Sequence, residues 1–159
     1  MTVHLSKRYG FAASHRLHSP AMTDDENRET YGKCNNPFGH GHNYEVEVTV
    51  SGPVDPVTGR VVDPGLLNDL TNKEIIAPLR YRNLNEEVPA FKTKVPTTEN
   101  LGIELDRRLR EAWNGVFGSS GPKLERVRIW ETDRNICEIS PKSEASDATL
   151  GQSENLGNA

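Results

Sequence analysis

Three histidines carry the sharpest chemical signal in this 159-residue chain. His40 and His42 stand two apart in FGHGHNY, at the start of a segment that alternates like a strand, so both rings point to one face. His15 shares its parity with Tyr9, Phe11, Ala13 and Leu17, which places it on the apolar face of another strand. Three neutral imidazoles from two strands suit a tetrahedral zinc ion with the fourth position open, the pattern of a catalytic rather than a structural site. With no thiolate in the set and no adjacent carboxylate, zinc is favoured over calcium or magnesium. The same residues also fit a plainer arrangement, in which His40 and His42 are turn residues and His15 is a hydrogen-bonded core histidine.

Two more side chains stand out. Cys34 precedes the histidine pair in KCNNPFGHG, where Lys33 and a nearby cation would lower its pKa and make it a base or nucleophile; a lone cysteine is equally a small inert hydrophobe, as Cys137 is expected to be. Glu131 shares strand parity with Val127 and Ile129 and therefore faces inward, where a carboxylate needs partners. Those partners are either two parallel N–H donors, such as the amino-pyrimidine edge of a pterin or guanine, or an arginine.

The elements that must position these groups follow from apolar spacing. Tyr44, Val46, Val48 and Val50 alternate with polar residues, a half-buried strand, and Arg60–Val62 is expected to form a short one. Asp63-Pro64 reads as an N-cap followed by proline in the first turn, opening a helix through Leu66, Leu67, Leu70, Ile75 and Ile76. Residues 80–96 read as loop. Pro96-Thr97-Thr98-Glu99 starts a second helix with Leu101, Leu105, Leu109 and Ala112 on one face, and Leu124–Ile139 reads as a final strand. The order is strand, strand, helix, helix, strand, with room for one more strand: an α+β domain with antiparallel pairing over residues 1–140. Residues 141–159 are polar, without an aromatic side chain, and are expected to be disordered.

Composition narrows the classes. Net charge is −4, without the basic excess of a general nucleic-acid binder. No run approaches 18 apolar residues and the N-terminus lacks an apolar signal core, so no membrane association and a cytoplasmic setting are expected. Two cysteines make no disulfide framework.

Taken together, FAASHRL, CNNPFGHGHNY, PTTEN and IWETDRN resemble, in order and spacing, the 6-pyruvoyltetrahydropterin synthase family of tunnelling-fold pterin enzymes. The longer DDENRETYGKCNNP approach makes the chain look closer to the pyruvoyl enzymes than to the 6-carboxytetrahydropterin synthases. The resemblance implies a four-stranded antiparallel sheet with two helices on one face, the sheets of three subunits joining into a barrel and two trimers stacking into a homohexamer with active sites between subunits. It implies zinc on His15, His40 and His42, Cys34 as catalytic thiol, Glu131 as anchor of the pterin ring, and Thr97 and Thr98 lining the pocket. The implied reaction is loss of triphosphate from 7,8-dihydroneopterin triphosphate with internal rearrangement to a diketone side chain.

One departure bears on catalysis. Where the family carries an Asp-His pair that completes a relay with the thiol, PLRYRNLN places Arg80 and Tyr81. Tyrosine, with an ordinary pKa near 10, does not replace a histidine. Arg80 would lower the pKa of Tyr81 or Cys34, and His18 is a spare histidine for the pocket. The open readings are a pyruvoyl-type lyase with a modified acid–base set, a related zinc enzyme doing retro-aldol cleavage or forming the carboxy product, and a non-catalytic pterin-binding homologue. The first is expected, because losing proton transfer costs typically 10²–10⁴-fold in rate and leaves binding intact.

Overall fold

The computed structural model describes residues 1–141; most of the segment expected to be disordered, residues 142–159, lies outside them. Four strands form one antiparallel sheet in sequential order: β1 (Val3–His15), β2 (His40–Gly52), β3 (Lys123–Thr132) and β4 (Asn135–Ile139). Between β1 and β2 lies α1 (Asp24–Tyr31); between β2 and β3 come α2 (Pro64–Thr71), α3 (Ala77–Leu79), α4 (Leu84–Glu87) and the long α5 (Thr98–Phe117). The α+β class and the four-stranded antiparallel sheet are as expected.

Strand alternation decides the two faces. Phe11, Ala13 and His15 of β1, Tyr44, Val46, Val48 and Val50 of β2, and Leu124, Val127 and Ile129 of β3 are buried on one face, together with the apolar sides of α2 and α5. Each such side chain contributes roughly 1.5–3 kcal/mol on burial. Leu101, Leu105 and Leu109 of α5 are fully covered, and Gly102 lies so close to Ile129 and Ile139 that a Cβ there would meet them at 3.3–3.4 Å. The other face is charged: Glu47 ties Arg8 at 3.1 Å and lies 3.8–3.9 Å from Arg126 and Arg128.

The helix starts are the expected ones. Asp63 accepts from the N–H groups of Gly65 and Leu66 with Pro64 behind it, and the Thr97 side chain accepts from the Asn100 N–H. Four details differ. The first helix passes through a π turn at Asn72–Ile76 before ending at Leu79. Arg60–Val62 forms no strand; Asp55 instead organises a turn, accepting from Val57, Thr58 and the Thr58 hydroxyl. The loop at 80–96 contains α4 and a 3-10 turn at Pro89–Phe91. Finally, Leu124–Ile139 is two strands, reversed at Asp133-Arg134, with Thr132 Oγ1 accepting from the Arg134 and Asn135 N–H groups.

Candidate metal and ring-binding site

Register brings the histidines together. In the β1–β2 ladder His15 lies opposite His40 and Ala13 opposite His42, so the three rings share the buried face at one end of the sheet. Gly39 sets that end. Its φ is +68°, and a Cβ would stand 2.8 Å from the His15 carbonyl oxygen, so only glycine lets β2 begin this close to the end of β1.

The ring nitrogens converge. One ligand atom from each histidine lies within 4.8 Å of the others, and His15 Nε2 is 3.1 Å from His40 Nε2. Nitrogens on one tetrahedral zinc, each about 2.0–2.1 Å from the ion, stand about 3.3–3.4 Å apart. His15 Nδ1 donates to the Pro96 carbonyl oxygen at 2.8 Å, just before α5, which leaves His15 Nε2 without a proton and free as a ligand. His42 Nε2 is buried with no hydrogen-bond partner. An orphaned acceptor beside two others on a buried face fits a cation, and it argues against the plainer reading of satisfied histidines. Burial holds His15 and His42 below the ordinary histidine pKa, with Pro96 and Glu131 opposing for His15 and Glu131 for His42. Both rings are therefore kept neutral, the form that binds a metal.

Glu131 faces inward as expected, but meets no arginine. Its Oε1 lies 3.5 Å from His15 Nε2 and 3.7 Å from His42 Nε2, while Oε2 accepts from the Asn135 amide at 2.7 Å. It is the extra residue of a β-bulge: β3–β4 pairing shifts by one between Trp130 and Thr132. The same Asn135 nitrogen donates to Thr98 Oγ1 at 2.8 Å, so Thr98 is tied to Glu131 through one amide, whereas Thr97 spends its side-chain oxygen on capping α5.

Cys34 is stitched to the chain leaving β1: its carbonyl accepts from the Leu17 N–H, and Asn35 donates to the Leu17 carbonyl. The lowered thiol pKa expected from Lys33 is not found. Burial pushes it up, and the Glu131 carboxylate pushes the same way. His18 accepts from Asn35 through Nδ1 and lines a separate cleft with Phe38 and Lys92.

Arg80 and Tyr81 are not brought to Cys34; among the described residues no hydrogen bond joins them. The Tyr81 N–H donates to the Ala12 carbonyl and the Ser14 N–H to the Arg82 carbonyl, so this segment covers the free edge of β1. Tyr81 is 80% exposed with φ +60°, a costly conformation for an aromatic residue. It shares a cleft of about 330 Å³ with His42 and Asn43.

Spacing alone missed Asn135 and the Pro96 carbonyl. Both belong to quoted motifs, yet nothing in their residue types announces a partner 37 or 81 positions away.

No helix among the described residues is long and apolar enough to cross a membrane. The sequence profile of 6-pyruvoyl tetrahydropterin synthase matches residues 4–142. A 6-pyruvoyl tetrahydrobiopterin synthase of Poecilia reticulata is 45% identical over 84% of this chain and 86% of its own length. The human protein of that name is 44% identical over 83% and 87%. The solved 6-pyruvoyl tetrahydropterin synthase of Caenorhabditis elegans superposes with a TM-score of 0.79 at 38% identity, covering 89% of this chain and 97% of that one. On these matches, and on a histidine cluster where the motifs require it, the chain belongs to the 6-pyruvoyl tetrahydropterin synthase family.

Proposed function

We propose that the chain is a zinc-dependent lyase that eliminates triphosphate from 7,8-dihydroneopterin triphosphate, rearranging the side chain to a 6-pyruvoyl pterin. The observation that carries the reading is the orphaned His42 Nε2 beside two further imidazole nitrogens, with a pinned carboxylate at its side. His15, His40 and His42 hold the ion. When bound, it supplies Lewis-acid polarisation of side-chain hydroxyl and carbonyl oxygens, and a positive field that favours the Cys34 thiolate. Glu131 accepts the N–H groups of the pterin edge, Thr97 and Thr98 shape the pocket wall, and Cys34 takes up the side-chain proton. No external redox cofactor enters, since one carbon of the side chain is reduced as its neighbour is oxidised.

The working unit is a cytoplasmic homohexamer, a dimer of trimers. Exposure of Arg80 and Tyr81 at the free edge of β1 supports a site completed between subunits, with these two side chains offered to a neighbour. Tyr81 is a weak substitute for a histidine proton relay, so turnover by the pyruvoyl route is slow. The variant Arg80→Asp with Tyr81→His raises that rate by about 10²-fold, in a manner that requires Cys34. The strained, exposed Tyr81 also favours a second reading, a redirected reaction such as retro-aldol cleavage or carboxy-product formation. Mass analysis of every pterin formed from dihydroneopterin triphosphate by wild type, the double variant and Cys34→Ala separates the two. Fast wild-type turnover to another product, abolished by the double variant, overturns the pyruvoyl reading.

A further inference from the structure

Asn135 opens β4 on the far side of the Asp133-Arg134 turn, and its side-chain nitrogen has two protons. One goes to Glu131 Oε2 at 2.7 Å and the other to Thr98 Oγ1 at 2.8 Å. Thr98 is buried in the first turn of α5, so a single amide ties the hairpin to the helix. The carboxylate has no other hydrogen bond among the described residues, since His15 and His42 stand at 3.5 and 3.7 Å, beyond hydrogen-bond length. The terminal torsion of a glutamate is broad, with no strong preference of its own. At a bulge, where the strand ladder does not fix the side chain either, that torsion is set by whatever holds one oxygen.

We propose that Asn135 is a positioning residue: by pinning Glu131 Oε2 to Thr98 it aims Oε1 at the histidine cluster, and so couples retention of the ion to recognition of the ring. The ring half rests on the function proposed above; the ion half rests only on the three histidines. A carboxylate meets two parallel donors only when its plane is fixed, and it adds to the attraction for a cation only while it faces the imidazoles. Asparagine suits the post because both protons leave from one nitrogen. An aspartate there would still accept from the Thr98 hydroxyl but would repel Glu131.

The test is a double-mutant cycle of Asn135→Ala and Glu131→Gln, read by three measurements. Zinc affinity is measured by competition with a chromophoric chelator, neopterin affinity by fluorescence titration, and folding by the thermal midpoint. Asn135→Ala weakens zinc by about 10-fold or more, the range for removing a partner of a metal site. It weakens neopterin by a similar factor. In the Glu131→Gln background the same change costs less than about 3-fold on either ligand. Equal losses in both backgrounds, or none in either, overturn the proposal, because a merely structural role acts without regard to residue 131. If Asn135→Ala lowers the melting point too far to titrate, Asn135→Asp keeps the Thr98 link and gives the same cycle. Should wild type bind no neopterin, the ring reading fails while the zinc arm still decides the role of Asn135.

Discussion

Two inward-leaning carboxylates on opposite faces of one sheet, Glu47 and Glu131, meet different fates. Glu47 sits on the face away from the helices with its side chain only 10% exposed, and Arg8, Arg126 and Arg128 surround it. Arg8 and Arg128 also lie over the Trp130 ring, at 4.5 and 5.3 Å. Its charge is answered by residues that are always charged. Glu131 is as deeply placed, at 12% exposed, yet its neighbours are one neutral amide and two imidazoles held neutral by burial. A compensated carboxylate marks structure. An uncompensated one among unprotonated nitrogens marks a place meant for something else.

The contrast can be broken most completely at the histidines. His42→Ala removes a ligand outright, and its effect on zinc affinity should exceed the 10–100-fold typical of outer partners. Metal analysis after dialysis shows this; unchanged zinc would refute the assignment. Gly39→Ala comes next. A Cβ 2.8 Å from the His15 carbonyl, at φ +68°, forces the strand ends apart. The expected cost is about 1–3 kcal/mol of stability together with weaker zinc binding, read by denaturant titration and chelator competition.

Glu131→Gln and Glu47→Gln sharpen the comparison as a pair. The first places a donor against donors and should weaken pterin binding by about 1–3 kcal/mol with little change in melting. The second should lower stability by about 1 kcal/mol and leave pterin affinity alone. Exchanged outcomes would mean the two roles have been reversed. The pH effect is milder. Folded His15 and His42 lie below their ordinary value of 6.5, so the unfolded chain takes up protons first as pH falls through that value. Stability of the metal-free protein is therefore full above about pH 6.5 and declines below it, and His15→Gln should flatten the decline in thermal melts at stepped pH.

Much of this was legible in the residues because it depends on period. Parity put His15, His40, His42 and Glu131 on the buried face, and caps placed the starts of both main helices. What escaped depends on distance along the chain or on polar chemistry with no period. Thr23 and Glu26 form a capping box that opens α1, but that helix is polar all round, with Asn27 as its buried residue, so no apolar stripe announced it. Glu104 is buried within the apolar-face helix because Arg107 and Arg108 reach back to it, a pairing that hides a charge from hydrophobic patterning. The β3–β4 reversal is made by Thr132 and Asp133-Arg134, with no glycine or proline to punctuate it. Cys34 is the clearest miss: a neighbouring lysine in sequence says little when burial and a carboxylate from another strand decide the thiol.

The bulge at Glu131 has a consequence for anyone who would transplant or shorten this hairpin. Alternation works as a two-stroke count, and the bulge adds one stroke. Deleting a single residue there would not trim a loop; it would put every later side chain of the hairpin out of phase with α5, turning Ile139 outward and carrying Asn135 away from Thr98. The segment therefore tolerates changes of spelling far better than changes of length, and a graft of the site has to carry the miscount along with the residues.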